Sequence, residues 1–126
     1  IADSVTVLAT SASRADAAAT IVANAVDVDD PRIVRLPASA VRDDSDLGDR
    51  LVVRGVPPLP ASLVDAALAR GAAEAQAQVN AGRIIAAVLS LQGRWRVVGD
   101  AGGRVYLGGE ERIAATVHPE PALAVC

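Results

Sequence analysis

Residues 3–26 read DSVTVLATSASRADAAATIVANAV, and within this stretch the apolar period changes from two residues to 3.6. Over DSVTVLA, residues 3–9, Val5 and Val7 fall on one side and Ser4, Thr6 and Leu8 on the other, and the β-branched content completes the signature of a strand. From Ser13 to Val26 the pattern turns helical, with Ile21, Val22, Ala25 and Val26 as the expected apolar face. Ser13 is the expected N-cap, and Asp16, three residues on, is placed to close a capping box with it.

Outward from this pair, DVDDPRIVRLPASAVRDDSDLGD (27–49) reads as an irregular connection with one short strand at 33–36. RLVVRG (50–55) is a second strand, followed by the rigid segment VPPLP (56–60). A second helix is expected from Ser62, with Asp65 three residues later, to a C′ glycine at Gly82. Gly71 inside it costs about 1 kcal/mol relative to alanine, so a kink is expected there. RIIAAVLSL (83–91) and RWRVVG (94–99) flank Gln92-Gly93, a hairpin signal. GGRVYLGG (102–109) and ERIAATVH (111–118) suggest a second hairpin with Glu110 and Glu111 at its turn.

The order is then strand, helix, two strands, helix and a four-strand meander. That pattern predicts an α+β fold, a mainly antiparallel sheet covered by two helices. With 126 residues, the chain is expected to be a single domain or the C-terminal chain of a larger one.

Composition narrows the function. An apolar fraction of 52% requires a folded core, yet it consists almost wholly of Ala, Val, Leu and Ile, with one Trp, one Tyr and no Phe or Met. Alanine buries little area, so partner surface, and hence an oligomer, is expected. The net charge is −3 and all 12 bases are arginine, without the basic stripe and stacking aromatics of a nucleic-acid binder. The most apolar stretch, AGRIIAAVLSLQG (81–93), is too short for a membrane span and is interrupted by Arg83. One cysteine, Cys126, allows no intrachain disulfide and points weakly to a reducing, cytoplasmic setting.

Reactive side chains are few. Lysine is absent, which removes Schiff-base and Ser-Lys chemistry, and the lone His118 excludes any paired-histidine metal motif. Neither GxGxxG nor a phosphate loop occurs. DDSDLGD (43–49) resembles a calcium loop in composition only, lacking the ligand spacing of an EF-hand. Asp16 and Thr20 remain: one helical turn apart, a carboxylate and a hydroxyl can converge on a hard cation such as Mg²⁺. The same spacing serves a helix cap at Asp16 and a Thr20 hydroxyl bonded back to a carbonyl.

The stretch DSVTVLATSASRADAAATIVANAV resembles a segment of ApbE-type FAD:protein FMN transferases, an SVTV strand and short loop before an AD-x-x-x-T helix. Its strongest match covers residues 4–26, and a set of ApbE-related bacterial proteins looks closer still, sharing DSDLGD and the LQG hairpin. The resemblance implies an ApbE-like fold, C-terminal part only, with Asp16 and Thr20 holding Mg²⁺ beside FAD. The flavin-gripping part of those proteins lies upstream of the SVTV strand, so FAD would be bound through an N-terminal portion.

Three readings follow. The first is the C-terminal chain of an ApbE-like enzyme acting on a flavin, nucleotide or related small molecule, its active site shared with the N-terminal chain of the same precursor. The second takes Ile1 as the product of self-cleavage and expects a small-molecule amide or lactam hydrolase, with Asp3 and Ser4 as catalytic candidates beside the new terminus. The third is a non-catalytic accessory module pairing through an exposed sheet edge.

Overall fold

The computed structural model describes residues 1–41, 46–100, 104–107, 110–113 and 124–125. The chain runs β1 (Ser4–Ala9), α1 (Ala12–Ala25), β2 (Val34–Pro37), the short α2 (Ala38–Val41), β3 (Leu51–Gly55) and α3 (Ala61–Asn80). There follow β4 (Ala86–Leu91), β5 (Arg94–Gly99), β6 (Arg104–Leu107), β7 (Glu110–Ile113) and β8 (Ala124–Val125). The main sheet has the order β5-β4-β1-β8, every neighbour antiparallel, and α1 and α3 cover one face of it. This is the expected α+β class.

Strand alternation sets the layers. Val7 and Ala9 of β1, Ala87, Leu89 and Leu91 of β4 and Val98 of β5 point into the core, where they meet Ala15, Ala18 and Val22 of α1 and Val64, Ala67 and Leu68 of α3. Small residues let the layers approach closely. At Gly71, a Cβ would lie 2.3 Å from Val26 Cγ2 and 2.7 Å from Leu89 Cδ2, so the glycine is needed as the contact point of α3 with both α1 and the sheet. The expected kink is replaced by this packing role, and α3 continues as one helix through the position.

Both helix starts differ from expectation. Ser11, not Ser13, caps α1: it is extended (φ −148°, ψ 151°), and its hydroxyl accepts from the Arg14 amide at 3.4 Å. Asp16 therefore lies at the fifth helical position, beyond the reach of a capping box. Pro60 precedes α3 without a side-chain cap, and Asp65 instead accepts from Arg94 at 2.7 and 2.8 Å and from Arg96 at 3.1 Å, tying α3 to β5. On α1 the buried positions are Ala15, Ala18 and Val22, while Ile21, expected inside, is 48% exposed.

The C-terminal end of α3 follows the sequence reading closely. Gly82 has φ +67°, its amide donates to the Val79 carbonyl at 2.9 Å, and the Arg83 amide donates to that of Gln78 at 3.0 Å. These two bonds make a Schellman motif.

Among the described residues the expected four-strand meander is not formed. Of the strands described, β4 and β5 join β1 in the main sheet, whereas β6 pairs with β7 in a separate two-stranded sheet, and Glu110 and Glu111 belong to β7 itself. Pairing with β1 offers β4 an apolar partner strand that a sequential meander would leave at an edge. His118, Cys126 and Asp43 to Ser45 of the acidic stretch lie outside the described residues. Among the described residues, no helix is long and apolar enough to cross a membrane.

Candidate functional site

Asp16 and Thr20 both lie on an exposed part of α1. At 100° per residue both sit about 100° or more around the helix from the buried Ala15, Ala18 and Val22. The Thr20 hydroxyl donates to the Asp16 carbonyl oxygen at 3.2 Å, the back-bonded arrangement of a threonine inside a helix. Together they offer two side-chain oxygens where Mg²⁺ takes six ligands, and among the described residues no group of three His, Cys, Asp or Glu side chains is close enough to hold a metal.

Asp3 and Ser4 are drawn to the β4–β5 turn. Gln92 (φ 45°) and Gly93 (φ 77°) both take positive φ, as a type I′ hairpin requires. The Asp3 carboxylate accepts the Gln92 backbone N–H at 2.6 Å, and the Asp3 amide donates to the Ser90 carbonyl at 2.9 Å. One residue on, the hydroxyls of Ser4 and Ser90 lie 2.8 Å apart across the paired strands. Ser90 is buried, so this bond satisfies a polar group inside the sheet.

Gln92 carries the contact further. Its side-chain oxygen accepts from the Leu59 amide and its nitrogen donates to the Pro57 carbonyl, each at 2.8 Å. Prolines 57, 58 and 60 have no N–H, so Leu59 owns the one amide proton of that run, and Gln92 captures it. The polar groups at the first strand thus position the hairpin and the proline segment. Sequence reasoning found the Gln92-Gly93 turn but not this clamp, because the partners are remote in sequence.

A separate surface stands out by its apolar character. β2 and β3 form a two-stranded ribbon whose pairs include Leu36 with Val52 and Pro37 with Leu51. Val34 and Leu36 project from one face, Leu51 and Val53 from the other, and all four are exposed, Leu51 to 65%. With Val41 and Leu47 of the connection, the ribbon region holds six of the nine large apolar side chains that are exposed among the described residues. Both outer edges of the ribbon are unpaired within the described sheets.

The base of the ribbon is fixed by polar contacts. Arg35 pairs with Asp27 and donates to the Val28 carbonyl, and Arg32 grips Asp30 through Nε at 2.8 Å and Nη2 at 2.9 Å. The side-chain hydrogen bond from Arg32, reinforced by its backbone N–H, lowers the Asp30 carboxyl from 3.8 to about 2. Ile33 enters the main core beside these pairs, so the ribbon is anchored at its root while its strands remain exposed.

Comparison with known proteins gives one family match: the family described as AbpE bacteria, over residues 1–97. The matched span runs from before β1 to within β5 and includes the ribbon and the Gln92 clamp. No curated protein and no solved structure matches. The expected kinship with ApbE-type flavin transferases and their bacterial relatives is corrected by this match, which falls to a different family. The SVTV strand and the AD-x-x-x-T helix carried the likeness; Val7, Ala15, Ala18 and Val22 of these elements pack in the core, whereas Asp16 and Thr20 stay exposed.

Proposed function

The chain belongs to the AbpE bacteria family, and from that premise we propose that it is an assembly domain whose β2–β3 ribbon joins a second copy of itself. The observation that carries this reading is the concentration of exposed Val34, Leu36, Leu51 and Val53 on a ribbon whose outer edges are unpaired among the described strands. An exposed apolar edge strand is a template for further pairing. Two-fold, antiparallel pairing of β3 with its counterpart would extend two ribbons into one four-stranded sheet and set Leu51 and Val53 beside their counterparts on one shared apolar face.

Charge favours a second copy over a strongly basic or acidic partner. Arg50 and Arg54 lie on or beside β3, and Asp46 and Asp49 lie just before it, so the surface carries both signs and can complement itself across a two-fold axis. The small aliphatic core adds to the case, since covering the ribbon supplies apolar burial that alanine does not. A cytoplasmic setting, in which the single cysteine stays reduced, is part of the proposal.

Sedimentation velocity of the chain between about 1 and 100 μM tests it, the span in which a standard-sized protein interface is commonly populated. A dimer that Leu51→Asp and Val53→Asp each convert to a folded monomer is the expected result. A wild-type chain that stays monomeric throughout, or a dimer indifferent to both substitutions, would overturn it.

A further inference from the structure

A groove of about 520 Å³ opens between α1 and the end of α3. Arg14, Ala17 and Ile21 line it from α1, at positions that share one helical stripe, and Gln78, Gly82 and Arg83 line it from the other side. This stripe is distinct from the one bearing Asp16 and Thr20, and the ribbon contributes nothing to it. The volume lies in the range of small-molecule sites.

Its two arginines are placed in unusual ways. Arg14 occupies the first turn of α1, where a positive charge meets the positive end of the helix dipole, and it enters none of the ion pairs found among the described residues. An anion bound there would relieve that repulsion. Arg83 is set just past the Schellman turn at Gly82, and its Nη1 lies 3.4 Å from the side-chain oxygen of Gln78. Gln78 is only 5% exposed, and its amide nitrogen donates to Glu74 at 2.7 Å. The amide therefore stands between Arg83 and the neighbouring carboxylate, and Arg83, like Arg14, has no ion pair among the described residues.

Along α1 the lining beyond Arg14 is apolar, formed by Ala17, Ala18 and Ile21. Ile21, 48% exposed, is the large aliphatic side chain of α1 left at the surface, while Ala15, Ala18 and Val22 are buried. We propose that the groove binds a small organic oxyanion, a carboxylate or phosphate carried on an apolar body. The guanidinium forks of Arg14 and Arg83 take the charged oxygens, and Ile21 with its neighbouring alanines takes the body.

Amide-resolved NMR titration of the full 126-residue chain tests this with phenyl phosphate, benzoate, inorganic phosphate and benzyl alcohol as probes. Saturable shifts centred on Ala17, Ile21, Gln78 and Gly82 are expected with phenyl phosphate or benzoate, whichever binds more tightly naming the headgroup. Arg14→Gln and Arg83→Gln should each weaken that binding at least tenfold, with Arg70→Gln, on α3 outside the groove lining, as an unaffected control. Ile21→Ser should weaken phenyl phosphate while leaving inorganic phosphate unchanged. Shifts that never saturate, or equal losses in the Arg70 variant, would show general attraction to surface charge and overturn the site. Inorganic phosphate binding as tightly as phenyl phosphate would overturn the apolar half of the assignment.

Discussion

The carboxylate of Asp3 accepts the backbone N–H of Gln92 at 2.6 Å, joining residues 89 positions apart at the tightest turn of the main sheet. One end of the contact is the entry to β1, and the other is a glutamine in left-handed conformation whose side chain holds the proline segment. Three structural units meet at one residue.

Gln92→Ala should therefore destabilise the chain by about 1–3 kcal/mol, since it leaves the Leu59 amide and the Pro57 carbonyl without their partner. Urea denaturation gives the magnitude, and hydrogen exchange at Leu59 gives the cause. Faster exchange at Leu59 with α1 amides unchanged is the expected pattern. An unaltered Leu59 would show that the side chain contributes nothing to the segment.

Gly71→Ala sets two effects against each other. Helix propensity alone would favour the substitution by about 1 kcal/mol. The added methyl, however, meets Val26 at 2.3 Å and Leu89 at 2.7 Å, and overpacking of a dense core costs about 1–3 kcal/mol. Net destabilisation is expected, read as a lower urea midpoint at unchanged slope. A rise in the midpoint would mean that α1 and α3 separate freely.

Asp30 provides a pH test. Its carboxyl is lowered from 3.8 to about 2, first by the side-chain hydrogen bond from Arg32. Because the folded value is the lower one, the stabilisation is complete above the unfolded value near 4 and disappears as pH falls through about 2. Carbon-13 NMR of the carboxyl should give a midpoint near 2 in the wild type and a return toward 3.8 in Arg32→Gln. A wild-type midpoint already near 3.8 would mean that the pair does not persist in solution.

Local signals carried much of the fold. The alternation of residues 3–9 located β1 and its two faces, Gln92-Gly93 marked the hairpin, and Gly82 marked the end of α3, each because a few consecutive residues dictate the geometry. The capping residue was ambiguous, since Ser11 and Ser13 are chemically equal and only the extended backbone at 11 separates them. Ile21 was misassigned because periodicity defines an apolar stripe without saying which side of it the sheet occupies. The strand order could not be read, because β1 takes its partner from beyond both long helices. Likewise the groove exists only where the antiparallel packing of α1 on α3 brings position 14 beside position 83, and no local pattern announces that meeting.

The place of β1 between β4 and β8 also governs the order of events on the ribosome. Ser4 emerges 86 residues before its partner Ser90, and at roughly 5–20 residues per second the interval is on the order of 10 s. During that time the nascent β1 lacks its β4 and β8 partners, and the long closure slows pairing once β4 arrives. The apolar face of β1, which carries Val5 and Val7, therefore waits for β4 before it is covered on that edge.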